Sequence, residues 1–492
     1  MPVASISNAK GVGRMTTSKL GLFWFAGVGV GMLALAPLGC EDSSSVGPAQ
    51  VDGGGVFAPE AGDSNVAVVD APVGSECVPP TKGPTMHGGG STSDPESDVW
   101  TADTSPHVLP FDTTIYKTVT IEPCAEVLIA GGRQITVRGK LVAQGTATRR
   151  IHIGAKDAAS PFGNIRTLSP ATLRLAYATI DGGGLPLATF PYLAGTLEIN
   201  GDIAVPVQET LFVDHVAITG SKSNGLVLKD NGGFASGSNA LAVTGAAAHP
   251  MSIWARAVSG IPTGVYTGNA NDKILLPATS GNETINQTAT LHERGVPYLV
   301  GHATSGGDLR VDVPMGQAPV TLTIEPGVTM RFKKGGVLKV AVATSASPAR
   351  GSLVAAGTAA KPIVFTSDEA APAAGDWLGL WFGDVPTATD KVDQVRVEYA
   401  GGTSSSGSGS CPDNSELNND AAIRIFGAPP SEFVTNTTIL ASATNGIDRG
   451  WRSDNALIEF LPTNTFTNVA LCQQTFPPTA ANFCPGVVPC PQ

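Results

Sequence analysis

Four places in the chain set a carboxylate beside groups that could share its chemistry. Asp181 precedes three glycines in TIDGGG, Asp214 is followed by His215 in FVDHVAI, Asp376 by Trp377, and Asp448 by Arg449 in GIDRGW. Hydrolysis of a glycosidic bond needs two carboxylates about 5–10 Å apart around the scissile bond. Eliminative cleavage needs a base and a neutralising cation, often Ca²⁺ held by carboxylates. Asp214, His215, Asp376 and Asp448 are therefore the candidates for catalysis. Each also has a plainer role. Asp181 reads as a turn residue, Asp214 and His215 lie at a strand start with one side chain toward a groove, and Asp448 with Arg449 reads as a surface ion pair. The stretch CPDNSELNNDAA (411–422) crowds Asp413, Glu416 and Asp420 among asparagines, which suits either a Ca²⁺ loop or a solvated loop. Trp377, Trp381 and Trp451 could form a sugar-stacking patch or pack a core. HGGG at 87–90 has the letters of an oxyanion loop, yet no G-x-S-x-G elbow accompanies it.

The elements that would position these groups are short strands. In one stretch the apolar pairs are Val119/Ile121, Val127/Ile129, Ile135/Val137, Leu141/Ala143 and Ile151/Ile153, each a few turn residues from the next. Alternation over three to five residues marks a strand with one buried face. The pattern returns some two hundred residues later at Leu322/Ile324, Met330/Phe332, Leu338/Val340, Leu353/Ala355 and Ile363/Phe365. Longer matches accompany it: VTIEP (119–123) with LTIEP (322–326), LVAQGTA with LVAAGTA, LRLAYA (173–178) with VRVEYA (395–400), and AITGSKSNG (217–225) with TILASATNG (438–446). Four collinear matches indicate an internal duplication. Strands this short are stable when each pairs with the rung above and the rung below in a solenoid. In GTA, Gly145 and Gly357 then serve a corner, and the Thr hydroxyl satisfies a backbone group in the bend.

VTIEPCAEVLIAGGRQITVRGKLVAQGTATRRIHIGA and LTIEPGVTMRF…GSLVAAGTAAKPIVFTSD…GDWLGLWF resemble the right-handed parallel β-helix repeats of secreted bacterial surface proteins, of myxobacterial type, many of them lipoproteins. The resemblance covers most of residues 99–470 and implies an all-β, internally duplicated, right-handed parallel β-helix. It is far less specific for function. GDW-G is not recognisable in the first half, and GHATSGG (301–307) lacks the rest of the Gly-His-Gly pattern of β-helix galacturonases. Cys124 stands where the pattern has Gly, as Gly327 does in the second half.

Gly 59 and Pro 37 are abundant, and charged residues make up only 14% against about a quarter in typical soluble domains, which disfavours helical folds. Net charge is −11. Without Lys10, Arg14 and Lys19 of the first 39 residues, 27 basic residues face 41 acidic ones, a net charge of −14 that excludes nucleic acid as a partner. Leu20 to Leu38 is an apolar run that stops at Gly39-Cys40 and resembles a bacterial lipoprotein signal, in which the Cys is diacylated. Pro37 stands where that signal prefers Leu; an uncleaved anchor and an ordinary secretory signal are the alternatives. Six further cysteines in an exported chain imply disulfides with fifteen open pairings. Set beside the resemblance, the expected set is Cys77–Cys124, Cys411–Cys472 and Cys484–Cys490.

The resulting expectation is a signal peptide over 1–39, lipidation at Cys40, a flexible Ser/Gly/Pro/Asp-rich tether over 40–98, β-helix halves over 99–295 and 296–470, and a Cys-rich cap over 471–492. A flexible tether of that length would span roughly 40–45 Å r.m.s.. No cofactor is expected beyond Ca²⁺ on the acidic loop. The expected partners are a membrane, through the lipid, and a polysaccharide or an envelope protein. The expected location is the outer membrane or cell surface. The leading function is a non-catalytic scaffold for polysaccharide or surface binding and adhesion. The alternative is a divergent polysaccharide lyase or glycosidase, which requires two carboxylates converging in one outward groove.

Overall fold

The computed structural model describes residues 75–88, 97–278, 283–302, 306–342, 349–404, 420–451, 458–476 and 490. All lie in one compact unit, Asp63–Gln492. It is a parallel β-helix. Apart from three short 3₁₀ turns the regular elements are strands, and apart from Val313–Pro314 the paired strands run parallel. Parallel crossovers are right-handed in nearly all proteins.

Each coil visits three faces, here A, B and C. Face C is one continuous 13-stranded sheet from Thr113–Ile115 to Thr465–Thr467. Faces A and B of the first half merge into a second 13-stranded sheet, because the strand Gln208–Thr219 pairs with Thr172–Ala176 on face A and with Ala178–Asp181 on face B. Above the 3₁₀ turn Ala255–Gly260 they continue as two 6-stranded sheets. Inward residues such as Val119, Leu141, Ile151, Leu173 and Leu211 are buried in one core running through the unit. The alternation survives at residue level: Thr118–Ile121 and Glu126–Ile129 each point every second side chain inward.

The GTA phrase is a corner in both halves. Thr146 Oγ1 accepts the Arg149 N–H at 3.1 Å, and Thr358 Oγ1 accepts the Lys361 N–H at 2.9 Å. Glycine is required by close approach rather than by a left-handed backbone. A Cβ on Gly145 would lie 2.7 Å from the Arg149 carbonyl oxygen, and one on Gly357 would lie 2.4 Å from that of Gln394.

The duplication is rotated by one face. Thr118–Ile121 and Lys140–Gln144 lie on face A, whereas their counterparts Val320–Ile324 and Ala349–Ala356 lie on face B. Likewise the AIT of face B returns as Thr438–Leu440 on face C. This corrects one sequence match. LRLAYA does not correspond to VRVEYA: stacked on equivalent Ala143 and Ala355, Leu175 corresponds to Val392, and Ile180 to Val397. The bend residue between them is Tyr177 in one half and Gln394 in the other, both left-handed at φ 45 and 54. The rotation also locates the missing GDW-G segment. Phe162, three residues before inward Ile165, takes the place of Trp377, three before inward Leu380, and both rings are fully buried.

Residues 75–88, expected in the tether, belong to the solenoid. Thr85–Met86 pairs with His107–Leu109, and the His87 ring packs 4.5 Å from Trp100, closing the core at this end. Cys77–Cys124 is formed as expected. The other expected pairings are incorrect: Cys472 pairs with Cys490, 18 residues on, so neither Cys411–Cys472 nor Cys484–Cys490 exists. Cys411 and Cys484 lie outside the described residues. No helix among the described residues is long and apolar enough to cross a membrane.

The halves are clamped by charge. Asp368, with its side chain 2% exposed, pairs with Lys273 from the first half and with Lys333 at 2.8 Å. Burial works against its charged form, but the two ammonium groups outweigh this and hold its pKa below the usual range. Its contribution is present above the unfolded carboxylate range and is lost as pH falls through the depressed folded value. Asp368→Asn should therefore cost about 2–3 kcal/mol at pH 7, read from the denaturant midpoint, with the difference vanishing near pH 2.

Candidate functional site

The edge between faces A and B in the first half gathers several accessible chemistry-bearing side chains. Strands Thr172–Ala176 and Gln208–Thr219 reach it along face A, and Ile151–Ala155 and Ala178–Asp181 leave it along face B. Two successive coils turn this corner on left-handed residues, Tyr177 and His215, at φ 45 and 52. Because coils repeat in register, their rings stack 4.6 Å apart with planes 7° from parallel. His215 Nδ1 lies 2.7 Å from Asp214 Oδ1. Arg150, exposed, donates to the His215 carbonyl oxygen at 2.9 Å and stands 6.0 Å from the Tyr177 ring centre. Beside them on face A, the Arg174 guanidinium covers the Phe212 ring at 4.2 Å.

On face B a second group spans three adjacent strands. His152 Nδ1 is 3.1 Å from Glu126 Oε1, and its Nε2 is 2.8 Å from Asp181 Oδ2. The three side chains are 40–43% exposed. Gly154 makes the arrangement possible: a Cβ there would lie 2.7 Å from Asp181 Oδ1 and 2.8 Å from His152 Nε2. Burial acts to lower the His152 pKa, but hydrogen bonds and charge from Asp181 and then Glu126 outweigh it and raise the pKa above the ordinary value.

The duplication supplies an internal control for what the fold itself needs. The corner residues equivalent to Tyr177 and His215 are Gln394 and Asn436, and Asn436 Nδ2 donates to Asp393 Oδ1 at 2.8 Å. The positions equivalent to Glu126, His152 and Asp181 hold Thr329, Val364 and Glu398. The second half builds the same corner without aromatic rings and the same strands without an imidazole, while Lys391 and Phe433 stand where Arg174 and Phe212 do. The bend therefore does not demand the Tyr–His stack or the Glu–His–Asp line.

The structure brings Asp181, Asp214 and His215 of the sequence candidates to this edge and disperses the others. Asp376 is a buried turn residue whose Oδ2 accepts the Ser367 hydroxyl at 2.7 Å and the Ala373 N–H at 2.9 Å. Asp448 is buried rather than a surface ion-pair member, and accepts the Thr475 hydroxyl at 3.0 Å. Asp420 is buried against Arg424 at 3.1 Å and the Ser404 hydroxyl at 2.8 Å. Asp413, Glu416 and Cys40 lie outside the described residues. Among the described residues no group of three His, Cys, Asp or Glu side chains is arranged to hold a metal.

The tryptophans pack. Trp377 is fully buried, stacks on Phe332 at 4.3 Å and donates from Nε1 to the Glu398 carbonyl oxygen. Trp381 lies between Lys339 and Arg424, and Trp451 meets Phe460 edge-on. Sequence reasoning missed Glu126, Arg150, His152, Arg174, Tyr177 and Phe212. A signal was present, since Glu126 and His152 occupy outward positions of alternating strands about one coil apart, with Asp181 another coil on.

Chemically the edge offers acceptors on Asp214, Glu126 and Asp181, donors on Arg150 and Arg174, and apolar ring surface on Phe212 and Tyr177. That mixture suits sugar hydroxyls and C–H faces. The imidazole of His152 has both nitrogens engaged, so it is not a free base.

Residues 309–412 match a family model described as a pectate-lyase-like β-helix domain. No curated protein matches the chain, and no solved structure does. The matched segment lies in the second half, which the duplication relates strand by strand to the half that bears the edge. A β-helix domain of this type fits a carbohydrate-related scaffold.

Proposed function

We propose that this protein is a non-catalytic surface lipoprotein, exported and anchored through Cys40, whose β-solenoid binds polysaccharide at the face A/B edge of its first half. The observation that carries this reading is the internal comparison. The Tyr177–His215 stack and the Glu126–His152–Asp181 line exceed what the same corner needs in the second half. The likeness to a pectate-lyase-like domain supports a carbohydrate as the ligand.

Affinity electrophoresis of the full chain through gels containing polygalacturonate, xylan or a neutral β-glucan tests this. Retardation by at least one polymer is expected, and Tyr177→Ala with Phe212→Ala should weaken it about tenfold or more, each ring contributing about 1 kcal/mol. Free mobility in every gel would overturn the reading.

A second reading, a divergent carbohydrate-active enzyme, is favoured by one observation: Glu126 and Asp181 converge on a single imidazole at an open face. It predicts shortened polymer and released oligosaccharide, lost in Glu126→Gln and Asp181→Asn.

A further inference from the structure

We infer that His152 is a proton-operated latch on the proposed binding edge, holding both Glu126 and Asp181 when charged and releasing one of them to ligand when neutral. The inference rests on the edge being the ligand site. Its basis is the number of donors an imidazole has. The charged ring carries an N–H on each nitrogen, and Nδ1 and Nε2 stand 3.1 and 2.8 Å from the two carboxylates, so one ring satisfies both. The neutral ring keeps a single N–H and can serve only one carboxylate. The other then faces the lone pair of the remaining nitrogen, which repels it, at a position already open to solvent.

The local architecture fits such a switch. The three groups sit on three separate strands, Glu126–Ile129, Ile151–Ala155 and Ala178–Asp181, whose spacing is fixed by the ladder. Losing the bridge therefore frees a side chain without moving the backbone. Glu126 and Asp181 are the charged groups facing the imidazole from the strands on either side. Arg150, on the approach to its own strand, is turned to the His215 carbonyl oxygen instead. Gly154 keeps the space into which the ring leans. The second half has Val364 in the place of His152 and no such bridge there.

A carboxylate freed at the edge has both oxygens open to sugar hydroxyls, where in the bridged one the imidazole holds one of them. Polysaccharide binding should then strengthen about five- to tenfold as pH rises from 5.5 to 8.5, the effect of one charge-assisted hydrogen bond. Gly154→Ala should disrupt the bridge by displacing the ring.

Two measurements on the full chain test this. Imidazole ¹⁵N spectra should show His152 doubly protonated to above pH 6.5 in the wild type, and titrating at or below its ordinary value in the double variant Glu126→Gln, Asp181→Asn. A wild-type His152 that titrates at or below the ordinary value overturns the latch. In gels containing the polymer that retards the protein, retention should rise with pH for the wild type and stay flat for His152→Gln. Retention that is flat for both, or that rises equally for both, also overturns it. Free mobility at every pH overturns the polysaccharide reading instead, and the latch is then decided by the spectra alone.

Discussion

Replacing Asp448 by Asn should make the protein more stable at pH 8, by up to about 4 kcal/mol, while leaving its stability at pH 4 nearly unchanged. Burial raises the Asp448 carboxyl pKa to about 7, against the opposing charges of Arg424 and Arg449 and the Thr475 hydroxyl. A carboxyl whose folded pKa lies above its unfolded value favours folding most at low pH. That contribution is lost as pH rises from the ordinary carboxylate range through the folded value, because a buried charge must then be created. Asparagine reproduces the hydrogen-bonding acid without the charge. Glu283, whose Oε1 accepts the Ala255 N–H, is pushed up to about 7 by burial in the same way and should act in the same direction. His249 opposes them: burial lowers it to about 4, so its contribution is present above the ordinary imidazole value and is lost as pH falls toward 4. Thermal unfolding of wild type and Asp448→Asn at half-unit pH steps measures the balance. A variant less stable than wild type at pH 8 would show that the ionised carboxylate, in the field of Arg424 and Arg449, is the form the fold requires.

Reduction of Cys77–Cys124 should release residues 75–88 from the first coil. The bridge closes a 47-residue loop, for which the chain-entropy model gives about 4 kcal/mol. The backbone adds a second effect. Cys124 is left-handed at φ 72, where its counterpart Gly327 sits at φ 92, so the cysteine occupies a position that suits glycine. With Cys77→Ser as the common background, Cys124→Gly should therefore be about 1–2 kcal/mol more stable than Cys124→Ser. Hydrogen exchange at Thr85, whose N–H bonds the Pro106 carbonyl oxygen at 3.0 Å, reports the release directly. Equal exchange in the oxidised and reduced proteins would mean that strand pairing and the His87–Trp100 contact suffice without the bridge.

Much of the scaffold was legible because strand chemistry is local. Alternation in VTI, VLI and LVA states which side chains point inward, and a repeated phrase states that the same corner is made twice. The Thr of GTA binds its bend as expected in both halves. Other parts were not legible, for identifiable reasons. The match of LRLAYA with VRVEYA failed because two successive strands share one pattern, and only pairing distinguishes them. Cys77–Cys124 was paired as expected, but the pairing of Cys472 failed because spacing along the chain does not say which coil a cysteine stacks beside. Asp448 read as a surface residue because its neighbour Arg449 is charged, yet both are buried in the coil.

From the sequence alone came a duplicated parallel solenoid and a set of outward residues without assignment. These follow from periodicity and composition, which act over a few residues at a time. Only the tertiary structure decided that the halves are turned by one face, and that Glu126, His152 and Asp181 meet although 26 and 29 residues separate them along the chain. The reason is geometric. A solenoid converts a separation of one coil into a spacing of about 4.8 Å, and coil length depends on every loop between, so side-chain neighbours across rungs are fixed by the stacking register.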